Sequence, residues 1–160
     1  MAARGALRMG AGLVTVASSK AVIDTLAVSL CEPIYLDTET GGFFQAATRM
    51  QVIGIGCGLG CTEKTAAWTV EFLSSVGAPL ILDADSINAL SGQSALLQGA
   101  KRPVLLTPHP LEFSRLTGLS VETIQADRES IAKRFAAQYG VTLLLKGANT
   151  VITDGKTVYI

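Results

Sequence analysis

Strand-like and helix-like stretches alternate along nearly the whole chain, and this alternation restricts the fold more than any other feature. Residues 13–18 (LVTVAS), 33–37 (PIYLD), 51–56 (QVIGIG), 78–85 (APLILDAD), 103–107 (PVLLT) and 141–147 (VTLLLKG) read as strands. Residues 2–9, 19–30, 43–50, 62–77, 110–118 and 121–140 read as helices, residue 86 starts a short helix running to 92, and Thr62 is placed to cap the helix that follows it. Strands separated by helices pair in parallel, because each crossover brings the chain back to the same end of the sheet. The strand stretches are almost continuously apolar, as strands covered on both faces are. Residues 149–160 differ: they read as two strands around an Asp154-Gly155 turn of the primed hairpin type. The expected fold class is α/β, a three-layer sandwich around a mostly parallel sheet with a C-terminal β-hairpin.

A chain of 160 residues, 49% of them hydrophobic, can bury one ordinary core, so one domain over 1–160 is expected. Both ends stop abruptly. The first helix has no strand before it, and Ile160 sits inside an apparent strand, so the chain reads as the middle of a larger domain. Lys and Arg number 13 and Asp and Glu number 13, which leaves no basic excess for nucleic acid or an anionic membrane. No apolar run approaches the roughly 18 residues of a membrane span. The first residues spread their arginines through a weakly apolar, glycine-broken stretch and do not read as an export signal. Cys31, Cys57 and Cys61 are an odd set with no disulfide framework, which points to a reducing cytoplasm. With one histidine in the chain, a zinc site is not expected.

In a parallel α/β sheet, ligands bind beyond the carboxyl ends of the strands. Four of these ends carry unusual residues. Gly54, Gly56, Gly58 and Gly60 lie between a strand and a helix, where the backbone can approach a ligand and helix amides can meet an anion. Their spacing fits neither the dinucleotide fingerprint nor a P-loop, and a plain tight turn would also use them. Asp83 and Asp85, with Asn88 one turn on, can hold a hydroxyl or a metal-phosphate group, or an Asp there can cap the next helix. Thr107, His109 and Glu112 follow, with Pro108 and Pro110 stiffening the backbone on either side of the imidazole. A lone histidine can equally be structural. Lys146, after three leucines, opens a small turn that suits a phosphate contact, or is a solvated lysine at a strand edge.

Five ordered stretches, GAGLVTVAS, GCGLG, LDADSINAL, LTPHPLEFSRLTG and LLLKGANTVI, together resemble the NAD(P)H-hydrate dehydratases of the carbohydrate-kinase-like (ribokinase) superfamily. The resemblance covers nearly the whole chain. It implies a ribokinase-like fold and a reaction in which a nucleotide phosphorylates the hydroxyl of (S)-NAD(P)H hydrate and phosphate then leaves. KGANT resembles the ADP-using branch rather than the ATP-using one. By position, the resemblance implies that Gly56, Gly58, Gly60, Asp85, Asn88 and His109 meet the hydrate. It implies that Lys146, Gly147, Ala148, Asn149 and Thr150 hold ADP, and that Glu112 helps place phosphate and Mg2+, with no fixed protein metal site. It also implies a cytoplasmic homo-oligomer, tetrameric in the family. Cys57 stands where the family usually has Pro, and Leu111 where it usually has Gly. The family's catalytic Asp is expected beyond Ile160, so the chain alone carries binding residues without an identifiable base. The alternatives are a ribokinase-like kinase for a vitamin precursor, against which His109 in TPHP speaks, and a non-catalytic nucleotide-binding module.

Overall fold

The computed structural model describes all residues of 1–160 except Gly99 and Lys101. They fall into two compact units, Met1–Arg49 and Met50–Ile160. The first unit holds α1 (Ala2–Arg8), β1 (Thr15–Ser18), α2 (Lys20–Ser29), β2 (Ile34–Asp37) and α3 (Phe43–Ala47). Its strands pair in parallel from Thr15↔Ile34 to Ser18↔Asp37. The Arg4 guanidinium donates to the Ser29 carbonyl at the end of α2.

The second unit carries the expected sheet. β3 (Ile53–Ile55), β4 (Leu80–Leu82), β5 (Val104–Leu106) and β6 (Thr142–Leu145) pair in parallel in that order, and β7 (Val151–Thr153) and β8 (Val158–Tyr159) add on antiparallel. α4 (Glu63–Ser75) connects β3 to β4. α5 (Asp85–Ala89) and a 3-10 turn (Ser94–Leu97) connect β4 to β5. α6 (Pro110–Thr117), α7 (Val121–Ala126) and α8 (Arg128–Tyr139) connect β5 to β6. Each crossover adds its strand on the same side of the last, so right-handed connections place these helices against one face. Burial follows. Leu80, Leu82, Val104, Leu106, Leu143, Leu145 and Val151 are buried, whereas Ile81 and Ile152, between them on the strands, are exposed. The connections supply Ile87, Leu90, Leu97, Phe113, Leu116, Ile124 and Ala136 to that core, and Phe113 meets Phe135 edge to face at 5.1 Å.

Two local readings are corrected. The single helix expected over 121–140 is two helices. Asp127 leaves helical geometry (φ −148°, ψ 63°) and its carboxylate accepts from the Ser130 amide at 3.3 Å, so a residue read as helical surface is instead an N-cap. The hairpin is not closed by a two-residue primed turn. Four residues, 154–157, link Thr153 to Val158, and the Asp154 carboxylate accepts from the Lys156 and Thr157 amides at 2.8 Å each. Gly155 alone takes a positive φ in that loop, and an Asx-type loop replaces the tighter form.

Between β4 and α5 the chain turns through Ala84 at φ 48°, ψ −116°, a conformation that glycine adopts freely and alanine does not. Its carbonyl accepts from the Ile87 and Asn88 amides, which locks the turn. Ala84→Gly should therefore leave the melting temperature unchanged or raise it by a few degrees. Relief of about 1–2 kcal/mol of left-handed strain outweighs the roughly 0.4–1 kcal/mol of added unfolded-chain entropy. A melting temperature lowered by several degrees, as for an ordinary Ala→Gly change, would contradict this reading.

Candidate functional site

The carboxyl ends of β3, β4, β5 and β6 lie side by side, and the loops that leave them are tied to one another. The tightest tie is between the first two. The backbone at Gly56 (φ 120°) runs against the turn after β4, where a Cβ would stand 1.7 Å from the Asp83 carbonyl oxygen and 2.5 Å from Ser86 Oγ. Only glycine permits that approach. Ser86, fully buried, donates to the Ile55 and Asp83 carbonyls at 2.9 Å each, and the Asp83 amide donates to the Ile55 carbonyl at 3.1 Å.

Next along the edge, the Gly-rich loop is pinned by the two aspartates. Asp85 accepts from the Gly60 amide at 2.7 Å and from the Cys61 thiol at 3.3 Å. Asp83 accepts from the Cys57 thiol at 3.5 Å. Partial burial, the hydrogen bond to Asp83 and that carboxylate's charge push the Cys57 thiol up; for Cys61 the hydrogen bond to Asp85 is the main cause. Both sulfurs therefore remain S–H donors at neutral pH. The Thr62 to Thr65 capping box then starts α4, and Thr65 Oγ1 donates back to the Gly60 carbonyl at 2.7 Å.

Asp83 also reaches across the sheet. Lys146 Nζ, from the end of β6, lies 2.5 Å from Asp83 Oδ1, while the Lys146 amide donates to the Pro108 carbonyl at 2.9 Å. Burial opposes ionisation of Asp83. Hydrogen bonds from Lys146, Thr107 and Cys57, with the ammonium charge, outweigh it and hold the carboxyl below its ordinary value. The sequence offered Asp83 as half of an acidic pair or a helix cap, and Lys146 as a phosphate contact or a solvated lysine at a strand edge. That β4 and β6 would bring them together depends on strand order, which no local pattern reveals.

His109 stands at the end of β5, as expected, but its imidazole is already in use. Nδ1 accepts from the Leu111 and Glu112 amides at 3.1 and 3.2 Å, and Glu112 Oε2 accepts from the His109 amide at 2.8 Å. This is a capping box with histidine as the N-cap. Nδ1 is thus the accepting nitrogen, and Nε2 faces Glu112 Oε1 at 3.2 Å. Glu112 is 7% exposed and turns both oxygens to His109, while His109 keeps 47% of its side chain in solvent. Glu112 thus turns its oxygens inward to His109 rather than out to solvent, and among the described residues no three His, Cys, Asp or Glu side chains are placed to hold a metal. Asn88 Oδ1 is held by Arg115 of α6 at 3.0 Å. Gly58 lies in the same loop as Gly56 and Gly60, with open space where a Cβ would be.

The turn after β6 forms the far end of the edge. Thr150 Oγ1 donates to the Gly147 carbonyl at 2.9 Å, and Asn149 takes a left-handed φ of 57°. Ala148 and Asn149 line an open cavity of about 410 Å³, with Asp127, Arg128 and Ser130 of the α7–α8 junction on its other side. Of the sequence-based site residues, all lie along this edge. Gly56, Gly60, Asp85 and Lys146 are tied into one hydrogen-bonded set through Asp83 and its neighbours, whereas Glu112 is folded inward beneath His109.

Two outcomes follow. The folded Asp83 carboxyl is depressed, so its ion pair stabilises the fold above the ordinary carboxylate value and that contribution is lost as pH falls through the folded value. The stability gap between wild type and Asp83→Asn should be widest near neutrality and close below about pH 4; a gap independent of pH would contradict the ion pair. His109→Ala should cost about 1 kcal/mol in thermal unfolding through loss of the cap, and His109→Asn should restore most of it. Equal stability of His109→Ala and wild type would remove the cap from the account.

The family described as NAD(P)H-hydrate dehydratase matches residues 1–160. A bifunctional NAD(P)H-hydrate repair enzyme, Nnr, from Moorella thermoacetica is 39% identical over 100% of this chain and 32% of its own length. An ADP-dependent (S)-NAD(P)H-hydrate dehydratase from Bacillus subtilis is 36% identical over 95% of this chain and 54% of its own length. The crystal structure of the ADP/ATP-dependent dehydratase from Bacillus subtilis, co-crystallised with ATP and Mg2+ and soaked with CoA, superposes with a TM-score of 0.79 at 34% identity, over 96% of this chain and 56% of that one. The chain thus spans about a third of the bifunctional relative and about half of the dehydratase.

Proposed function

Because the chain belongs to the NAD(P)H-hydrate dehydratase family, we propose that it forms the ligand-binding edge of an ADP-dependent (S)-NAD(P)H-hydrate dehydratase, as part of one ribokinase-like domain. The observation that carries the reading is the Asp83–Lys146 pair. It sets a cation at the end of β6, between the Gly-rich loop on one side and the Gly147 to Thr150 turn on the other. An ammonium held there by a carboxylate suits the phosphates of an adenine nucleotide. The open cavity beside Ala148 and Asn149 gives room for the rest of it.

In the proposed reaction the terminal phosphoryl group of ADP moves to the hydroxyl oxygen of the hydrate, the hydroxyl proton is lost to solvent, and AMP is released. Loss of phosphate with a ring proton then regenerates the dihydronicotinamide. This chain's part is to bind and orient. Lys146 and residues 147–150 hold the nucleotide. The loop from Gly56 through Gly58 to Gly60, Asp85 and Asn88 line the hydrate side, and the exposed flank of His109, its ring fixed by the cap, meets the hydrate there. Mg2+, when bound, would screen the phosphate charges. Glu112 in its folded position does not fit as its direct ligand, and no step is routed through the ion.

The precursor-kinase alternative shares the fold but not the hydrate, and the non-catalytic module shares the nucleotide alone. A cytoplasmic location and self-association belong to the same reading; among the described residues no helix is long and apolar enough to cross a membrane. Light scattering should show more than one chain per particle.

Calorimetry separates the readings. ADP or AMP should bind and NAD itself should bind more weakly. NADPH hydrate should bind the chain, and His109→Asn, which keeps the cap but not the imidazole, should weaken the hydrate by about tenfold while leaving ADP unchanged. Nucleotide binding without hydrate binding would favour the non-catalytic module, and preference for a vitamin-precursor alcohol would favour the kinase.

A further inference from the structure

One side chain beside the cavity works on the strand ends rather than on the space itself. Arg128, the first residue of α8, donates through Nη2 to the Leu145 carbonyl at 2.8 Å and the Lys146 carbonyl at 3.1 Å. Through Nη1 it donates to Gln125 Oε1 at 2.8 Å. Its Nε is buried and has no hydrogen-bond partner among the described residues. Leaving a donor of a charged group unsatisfied is costly, so the guanidinium is held by its other contacts, not by full satisfaction of its own groups. Gly147 packs directly on it: a Cβ there would lie 3.0 Å from both Nη atoms, at a φ of 149°. The guanidinium thus braces the last two carbonyls of the strand end from outside, while Thr150 closes the turn from within.

We propose that Arg128 is a positioning residue for the adenine nucleotide. It fixes the backbone of residues 146–150 in the form that receives the ligand, and it acts through those carbonyls rather than by touching the nucleotide. The break between α7 and α8 at Asp127 gains a purpose from this. An unbroken helix over 121–140 would not begin a fresh N-terminus at Arg128, from which the side chain spans to β6. The proposal rests on the nucleotide reading above.

The test measures ADP affinity by calorimetry and the backbone amide signals of residues 147–150 by NMR, on the whole 160-residue chain. Arg128→Ala should shift those amide signals even without ligand and weaken ADP on the order of tenfold. Methylguanidinium at low millimolar concentration should recover part of the loss, which a merely destabilised fold would not show. Lys133→Ala, which removes the same charge from an exposed position of α8, should change neither. Should Arg128→Ala fail to fold, Arg128→Lys replaces it; one ammonium cannot span both carbonyls and Gln125, so affinity should fall several-fold. Wild-type affinity in either folded variant would overturn the positioning role and leave the nucleotide reading standing. Failure of both variants to fold would assign Arg128 to the fold and overturn the proposal. Absence of ADP binding by the wild-type chain would overturn the nucleotide reading, and this proposal with it.

Discussion

The carboxyl edge of the sheet depends on one backbone contact. The chain leaving β3 presses Gly56 against the Asp83 carbonyl so closely that no side chain fits between them. That contact fixes how far the Gly-rich loop stands from the turn after β4. Once the distance is set, the rest is within hydrogen-bond reach: Ser86 bridges the two strand ends, Asp85 takes the Gly60 amide, and Asp83 takes the Cys57 thiol. The strained Ala84 belongs to the same arrangement. It lies between the two aspartates that bind the loop, and its turn is held by amides of the helix it introduces. Strain at such a place persists because the surroundings over-determine it.

From this fixed point the edge extends by charge. Asp83 lies between a thiol donor on one side and the Lys146 ammonium on the other, so it couples the first strand end of the site to the last. The Lys146 backbone is held at the same time, by the Pro108 carbonyl on the β5 side and by Arg128 from the helical layer. A cation restrained in this way loses little conformational freedom when it meets a phosphate, which is where preorganised sites gain affinity. The two thiols fit the same logic. Each keeps its proton and donates a hydrogen bond to a carboxylate; burial first for Cys57, and the hydrogen bond to Asp85 first for Cys61, disfavour the thiolate, so Cys57 and Cys61 serve as loop ties.

Alternation of strand and helix was enough to read the α/β class, the parallel strands and the strand ends that make up the candidate site. Those features come from hydrophobic periodicity, which is local. Pairings between distant segments were not legible. Asp83 and Lys146 are 63 positions apart and meet only because β4 and β6 flank β5 in the sheet. The helix break at Asp127 was missed because an aspartate reads as well on a helix surface as at a cap. For His109, the two prolines pointed to a stiff corner, but not to a ring that would accept the helix amides. The signal was present: Glu112 three residues after His109 has the spacing of a capping box, with histidine in place of serine or threonine. Family resemblance names the residues proposed to bind, and the geometry shows which of them are already engaged with one another.

The central claim is that the strand ends of β3 to β6 form one ligand-binding edge for an adenine nucleotide and a nicotinamide hydrate. Backbone NMR during titration with ADP, and then with NADPH hydrate, tests it most directly. ADP should move the amides of residues 146–150, and the hydrate should then move those of Gly56, Gly58 and Gly60. Shifts centred instead on the smaller hollow between Thr117 and Tyr139, or scattered over the surface without saturation, would contradict the account.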